Sequence, residues 1–87
     1  MCENKYIVDL IHMLINNRKT YFSRFDVLNS EGRKILEIII QNLLKENQEY
    51  RKIIYKIRRK PTFENILKLA EILNIDVGEY KYITFNN

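Results

Sequence analysis

The chain has one cysteine, one proline, one histidine and two glycines in 87 residues. So few glycines and prolines leave little material for tight hairpins or phosphate-cradling loops, which favours helices joined by short connections. Enzyme motifs built on several glycines are excluded with them. Cys2 alone forms no intrachain disulfide, and His12 alone leaves no cysteine and histidine cluster at zinc-site spacing, so neither a metal nor another cofactor is expected. Long apolar runs are lacking too. The longest, such as Ile38, Ile39 and Ile40, fall far short of the ~20 residues that span a bilayer, so no membrane partner is expected. Glu3, Lys5 and Asp9 interrupt the N-terminal apolar residues, which does not fit a signal peptide. A reducing, cytoplasmic location is the expectation.

What is present is a balance of 46% hydrophobic and 30% charged residues, too apolar for a disordered tail. A chain of this length holds one modest core, so residues 1–87 are read as a single domain. Ile7, Leu10, Ile11, Leu14 and Ile15 follow the i, i+3, i+4, i+7 spacing of an amphipathic helix that stops near Asn16 and Asn17. Residues 20–28 carry three aromatics and no helical stripe, which suits a short strand or an extended loop. Asn29 and Ser30 supply side-chain oxygens for a helix start, with Glu31 in the first turn. From there to Lys60 the apolar register allows either one long helix or two helices broken at 45–49, where five polar residues follow one another; the break is the preferred reading. Pro61 ends that segment, and Thr62 caps a helix with Ile66, Leu69, Ala70 and Leu73 on one face, ending near Asn74. Asp76 can cap a final turn, and 79–85 alternates in a way that suits either a short edge strand, able to pair with 20–28, or a docked tail. The expected fold is mainly α: a bundle of four to five helices with a helix-turn-helix, with two short strands at about 20–28 and 79–85 as an optional addition.

The net charge of +4 is unevenly spread. Residues 51–60 hold six basic side chains and no acid, so the other nine basic and eleven acidic residues leave the rest of the chain at −2. A basic patch on an otherwise slightly acidic protein is the footprint expected for a polyanion, most commonly nucleic acid. If residues 48–60 are helical, Tyr50, Ile53, Ile54 and Ile57 form the inner face. Gln48, Lys52, Tyr55 and Arg59 then line the outer face, flanked by Arg51, Lys56 and Arg58. Amide, guanidinium and ammonium groups presented together are those that read guanine and adenine edges in a major groove and reach phosphates. Gln48, Arg51, Lys52 and Tyr55 are the candidates for base contact. Lys56, Arg58, Arg59, Lys60 and Thr62 are the candidates for phosphate contact. Glu37, Glu46 and Glu49 stand among lysines and arginines, where i, i+4 pairing suits them better than acid–base chemistry, and no nucleophile has a partner. No catalytic residue and no enzyme activity are expected. His12, beside the first apolar stripe, reads as a satisfied boundary residue.

Residues 43–76, most clearly from Ile54 onward, resemble the second half of Cro/repressor-type (XRE-like) helix-turn-helix domains. The matching order is Ile57, the basic Arg58, Arg59 and Lys60, then Pro61, Thr62, Ile66, Leu69, Ala70, Leu73 and Ile75. Leu43 and Leu44 stand at the family's leucine-alanine pair, and Gln48 at its turn glycine. The resemblance implies a DNA-binding regulator whose recognition helix ends near Ile57: a small transcriptional regulator or plasmid or phage accessory factor, specific for double-stranded DNA and acting as a homodimer on paired half-sites. The alternative from another class is a protein-interaction module, a dimeric helical adaptor or inhibitor using an unbroken amphipathic helix over 31–60.

Overall fold

A computed structural model describes residues 4–78, and its order of elements follows from where side chains can satisfy the open ends of helices. Asn4 accepts from the N–H groups of Tyr6 and Ile7 at 3.0 and 3.3 Å and starts α1 (Lys5–Asn16). Asn17 ends it, its side-chain amide donating to the Met13 carbonyl at 2.9 Å. A single helical turn, α2 (Arg18–Tyr21), follows directly. Asn29 then accepts from Gly32 N–H at 2.9 Å and opens α3 (Ser30–Glu46), with Glu31 in the first turn as the helix dipole favours. Gly32 is required there: a Cβ would lie 2.6 Å from both the Tyr21 carbonyl oxygen and a Leu28 methyl.

At Asn47 the backbone turns extended, with φ −160° and ψ 120°, so 31–60 is two helices and not one. Asn47 both closes α3 and opens the tight helical turn Gln48–Tyr50, accepting from Glu49 N–H at 2.9 Å. The turn runs into α4 (Arg51–Arg59). Buried Pro61 and the Thr62 cap, whose Oγ1 accepts from Asn65 N–H at 3.1 Å, start α5 (Phe63–Ile72). That helix ends in a Schellman motif: Asn74 adopts φ 62°, Ile75 N–H reaches the Ala70 carbonyl and Asn74 N–H that of Glu71. Asp76 accepts from Gly78 N–H beyond it.

The protein is a small all-α domain with five α-helices among the described residues. α1 lies against α3 and α5, and α4 joins the bundle through α5 and the tight turn. The fully buried side chains come from every long helix, among them Ile7 and Leu14 of α1, Ile39 and Leu43 of α3, Ile57 of α4 and Leu69 of α5. No polar or charged side chain is buried among the described residues. None of the described helices is long and apolar enough to cross a membrane.

Of the two expectations for 20–28, a short strand or an extended loop, the strand is corrected. Thr20 and Tyr21 N–H groups bond the Asn17 carbonyl in a helical turn, and only Phe22 and Leu28 pair antiparallel around a tip at 23–27. The alternation over these nine residues is consumed by a helical turn and a tight reversal, leaving no length to run as a strand. The expected strand at 79–85 lies outside the described residues.

Candidate nucleic-acid interface

The inner face of α4 is anchored by Ile54 and Ile57, which are buried, with Tyr50 and Ile53 half-buried beside them. That anchoring leaves Arg51, Lys52, Tyr55, Lys56, Arg58, Arg59 and Lys60 exposed. Tyr55 is 65% exposed and so does not cover the core edge. The Arg59 guanidinium stands 5.9 Å from its ring centroid, within cation–π range. An open depression of about 1130 Å³ runs along this helix, lined by residues from Arg51 to Lys60 and by Leu44 of α3. Three cations fall in the last turn of α4, where the dipole favours positive charge.

The structure divides the sequence candidates by what else they touch. Arg51, Lys52, Lys56, Arg59 and Lys60 make no ion pair with a carboxylate among the described residues. Arg58 does: its Nε and Nη2 donate to the two Glu37 carboxylate oxygens at 3.1 and 2.8 Å, tying α4 to the middle of α3. The hydrogen bond to Glu37 pushes the Arg58 guanidinium pKa up and fixes the orientation of its charge. Gln48 lies in the tight turn before α4, and its side-chain amide donates to the Leu44 carbonyl at 2.9 Å, closing the end of α3. Its carboxamide oxygen is the atom left for another donor. Thr62 is half-buried, and its hydroxyl oxygen accepts the α5 cap bond while its O–H stays able to donate. The Lys60 carbonyl accepts from the Asn65 side chain at 2.7 Å, which fixes the bend between α4 and α5.

Sequence reasoning passes over the loop that borders this helix. Leu28 N–H donates to the Pro61 carbonyl at 2.9 Å, Val27 pairs with Thr62, and Phe63 N–H donates to the Asp26 carbonyl at 2.8 Å. Residues 26–28 are thereby bonded to the chain just past Lys60. The pairing joins segments more than thirty positions apart, and no local pattern announces it. His12 has no part in the basic surface: its Nε2–H donates to the Asp76 carbonyl at 2.7 Å. Among the described residues no three histidine, cysteine, aspartate or glutamate side chains group to hold a metal ion. Comparison with family models, with curated proteins and with solved structures gives no match.

Proposed function

We propose that this is a sequence-specific double-stranded DNA-binding protein, a small cytoplasmic transcriptional regulator or plasmid or phage accessory factor, which lays α4 in the major groove. The observation that carries the reading is the outer face of α4 and its C-cap: four exposed cations on the helix and Lys60 just past it, without carboxylate partners among the described residues, on a short helix fixed from behind by Ile54 and Ile57. Arg51, Lys52 and Tyr55 are the base-facing groups, with the Gln48 carboxamide oxygen at the edge. Lys56, Arg59 and Lys60 neutralise phosphates. Arg58 acts by holding α4 against Glu37, and Thr62 by fixing the turn that presents Lys60. Action is by binding, without catalysis or cofactor. One nine-residue helix reads a single half-site, so a homodimer on paired half-sites supplies the affinity that a genome demands.

The adaptor reading depends on an unbroken helix over 31–60. With the chain turning at Asn47, no observation favours it.

The test is binding to a selected duplex and to random DNA across a salt series. Lys52→Ala is expected to cost about 1–3 kcal/mol on the selected duplex and much less on random DNA. Replacing Arg59 and Lys60 with alanine is expected to weaken both alike and lower the salt slope by ~0.9 for each phosphate no longer neutralised. Absence of salt-dependent binding by the wild type would sink the reading.

A further inference from the structure

Among the described residues, the most exposed of the large apolar side chains is not on α4 but at the tip of the reversal between α2 and α3: Phe25, 74% exposed. The tip is held in one shape. Ser23 N–H donates to the Val27 carbonyl at 2.8 Å and Asp26 N–H to the Ser23 carbonyl at 2.9 Å, leaving Arg24, Phe25 and Asp26 to make the turn. Asp26 takes φ 60°, the left-handed conformation that closes three-residue hairpin loops and that aspartate tolerates better than most residues. Phe25 N–H reaches Ser23 Oγ at 3.3 Å. Arg18 clamps the turn from below, donating to both Asp26 carboxylate oxygens at 2.9 and 2.5 Å while its guanidinium lies 3.9 Å from the Phe63 ring centroid.

That clamp neutralises the single acid of the tip. Arg24 remains, its guanidinium 5.0 Å from the Phe25 ring centroid, with exposed Lys19 on the neighbouring turn. The tip therefore offers an aromatic face under a cation, already ordered, so a ligand meets little further entropy cost there. Its position is fixed as well. Val27 pairs with Thr62 and Leu28 bonds to Pro61, and Phe25 is two residues, at most ~7 Å of chain, from Val27. The tip adjoins the C-terminal end of α4.

We propose that this tip is a second DNA contact: Arg24 meets a phosphate of the strand beside the end of α4, and Phe25 packs on sugar and base edges of the flanking minor groove. The proposal rests on α4 being the major-groove element. With the C-terminal end of α4 against the backbone, the adjoining tip would face the flanking minor groove, about 6 Å wide, into which proteins insert phenylalanine and arginine. The chemistry fits on both counts, apolar edge to apolar edge and cation to phosphate.

Anisotropy titrations of the full chain on a labelled duplex selected by the wild type test it, with Phe25→Ala, Arg24→Ala and Lys52→Ala in parallel. Phe25→Ala is expected to bind on the order of tenfold more weakly with an unchanged salt slope, and Arg24→Ala to lower the slope by ~0.9. Both keep the wild-type unfolding midpoint, because neither side chain is in the core. A fluorescent adenine analogue in the flanking step is expected to respond to wild type and not to Phe25→Ala. If Lys52→Ala weakens binding while both tip variants bind as wild type with its slope, the second contact is overturned and the role of α4 stands. If Lys52→Ala is also without effect, the α4 reading fails and the tip proposal falls with it.

Discussion

Asp26 shows how one side chain joins local conformation to tertiary position. Its backbone takes the left-handed turn, its carbonyl accepts from Phe63 N–H, and its carboxylate receives two bonds from Arg18. The Arg18 hydrogen bond holds the carboxyl below its usual range, against a smaller opposing effect of burial. A lowered folded value means that the ion pair contributes stability above the unfolded carboxyl pKa of about 3.9 and loses it as pH falls through the folded value. The side chains are roughly half-exposed, at 40% and 46%, so solvent keeps the contribution small. Carbon-detected NMR titration of the Asp26 carboxyl is expected to give a midpoint under that of an exposed aspartate, and Asp26→Asn to flatten the fall in stability below pH ~4. An ordinary midpoint would show that Arg18 does not hold the tip in solution. Arg58 and Glu37 make the same kind of bond between α3 and α4, again at half-exposed positions.

Among the elements, the junction of α3 and α4 decides which surface the basic residues present. Asn47 makes that junction with its extended backbone and with the bond from Glu49 N–H, while Gln48 covers the Leu44 carbonyl. Alanine at Asn47 removes the cap and supplies the strongest helix former at the point where α3 must stop. Asn47→Ala is expected to lower stability by about 0.5–2 kcal/mol in urea unfolding and, on the proposed function, to weaken DNA binding beyond that by loosening the orientation of α4. A variant with the wild-type urea midpoint would mean that packing of Ile54 and Ile57, not the cap, sets the break.

For the whole molecule, the helices share one small core that contains no buried polar side chain among the described residues, so its stability is that of apolar packing. Leu69 and Leu73 are each 1% exposed within it. Leu69→Ala is expected to cost about 2–5 kcal/mol, since the cavity left in a close-packed interior only partly collapses. Against a typical reserve of about 5–15 kcal/mol this is a large fraction. Ile72, one residue from Leu73 and 51% exposed, is the control: Ile72→Ala is expected to stay within about 0.5 kcal/mol. Equal urea midpoints for the two variants would show that α5 does not pack through the Leu69 face.

The features legible in the sequence are those set by neighbours a few residues apart. The stripe of α1, the caps at Asn29 and Thr62, the stop at Pro61 and the inner face of α4 at Ile54 and Ile57 all follow from helical spacing and side chains that bond nearby backbone, and all appear in the fold. The basic run over 51–60 is equally plain, because charge is a property of composition. The break at 45–49 is one of two readings with similar local support; burial of α4 residues against α5 and the tight turn separates them. Tertiary structure decided where the reversal over 20–28 sits, because Asp26, Val27 and Leu28 find their partners at Phe63, Thr62 and Pro61. It alone engaged Arg58 with Glu37, twenty-one positions away, and left Arg59 and Lys60 outside any ion pair among the described residues. Local periodicity states which face a helix buries, whereas the partner that a long charged side chain finds depends on where the chain returns, and that is known only once the core has closed.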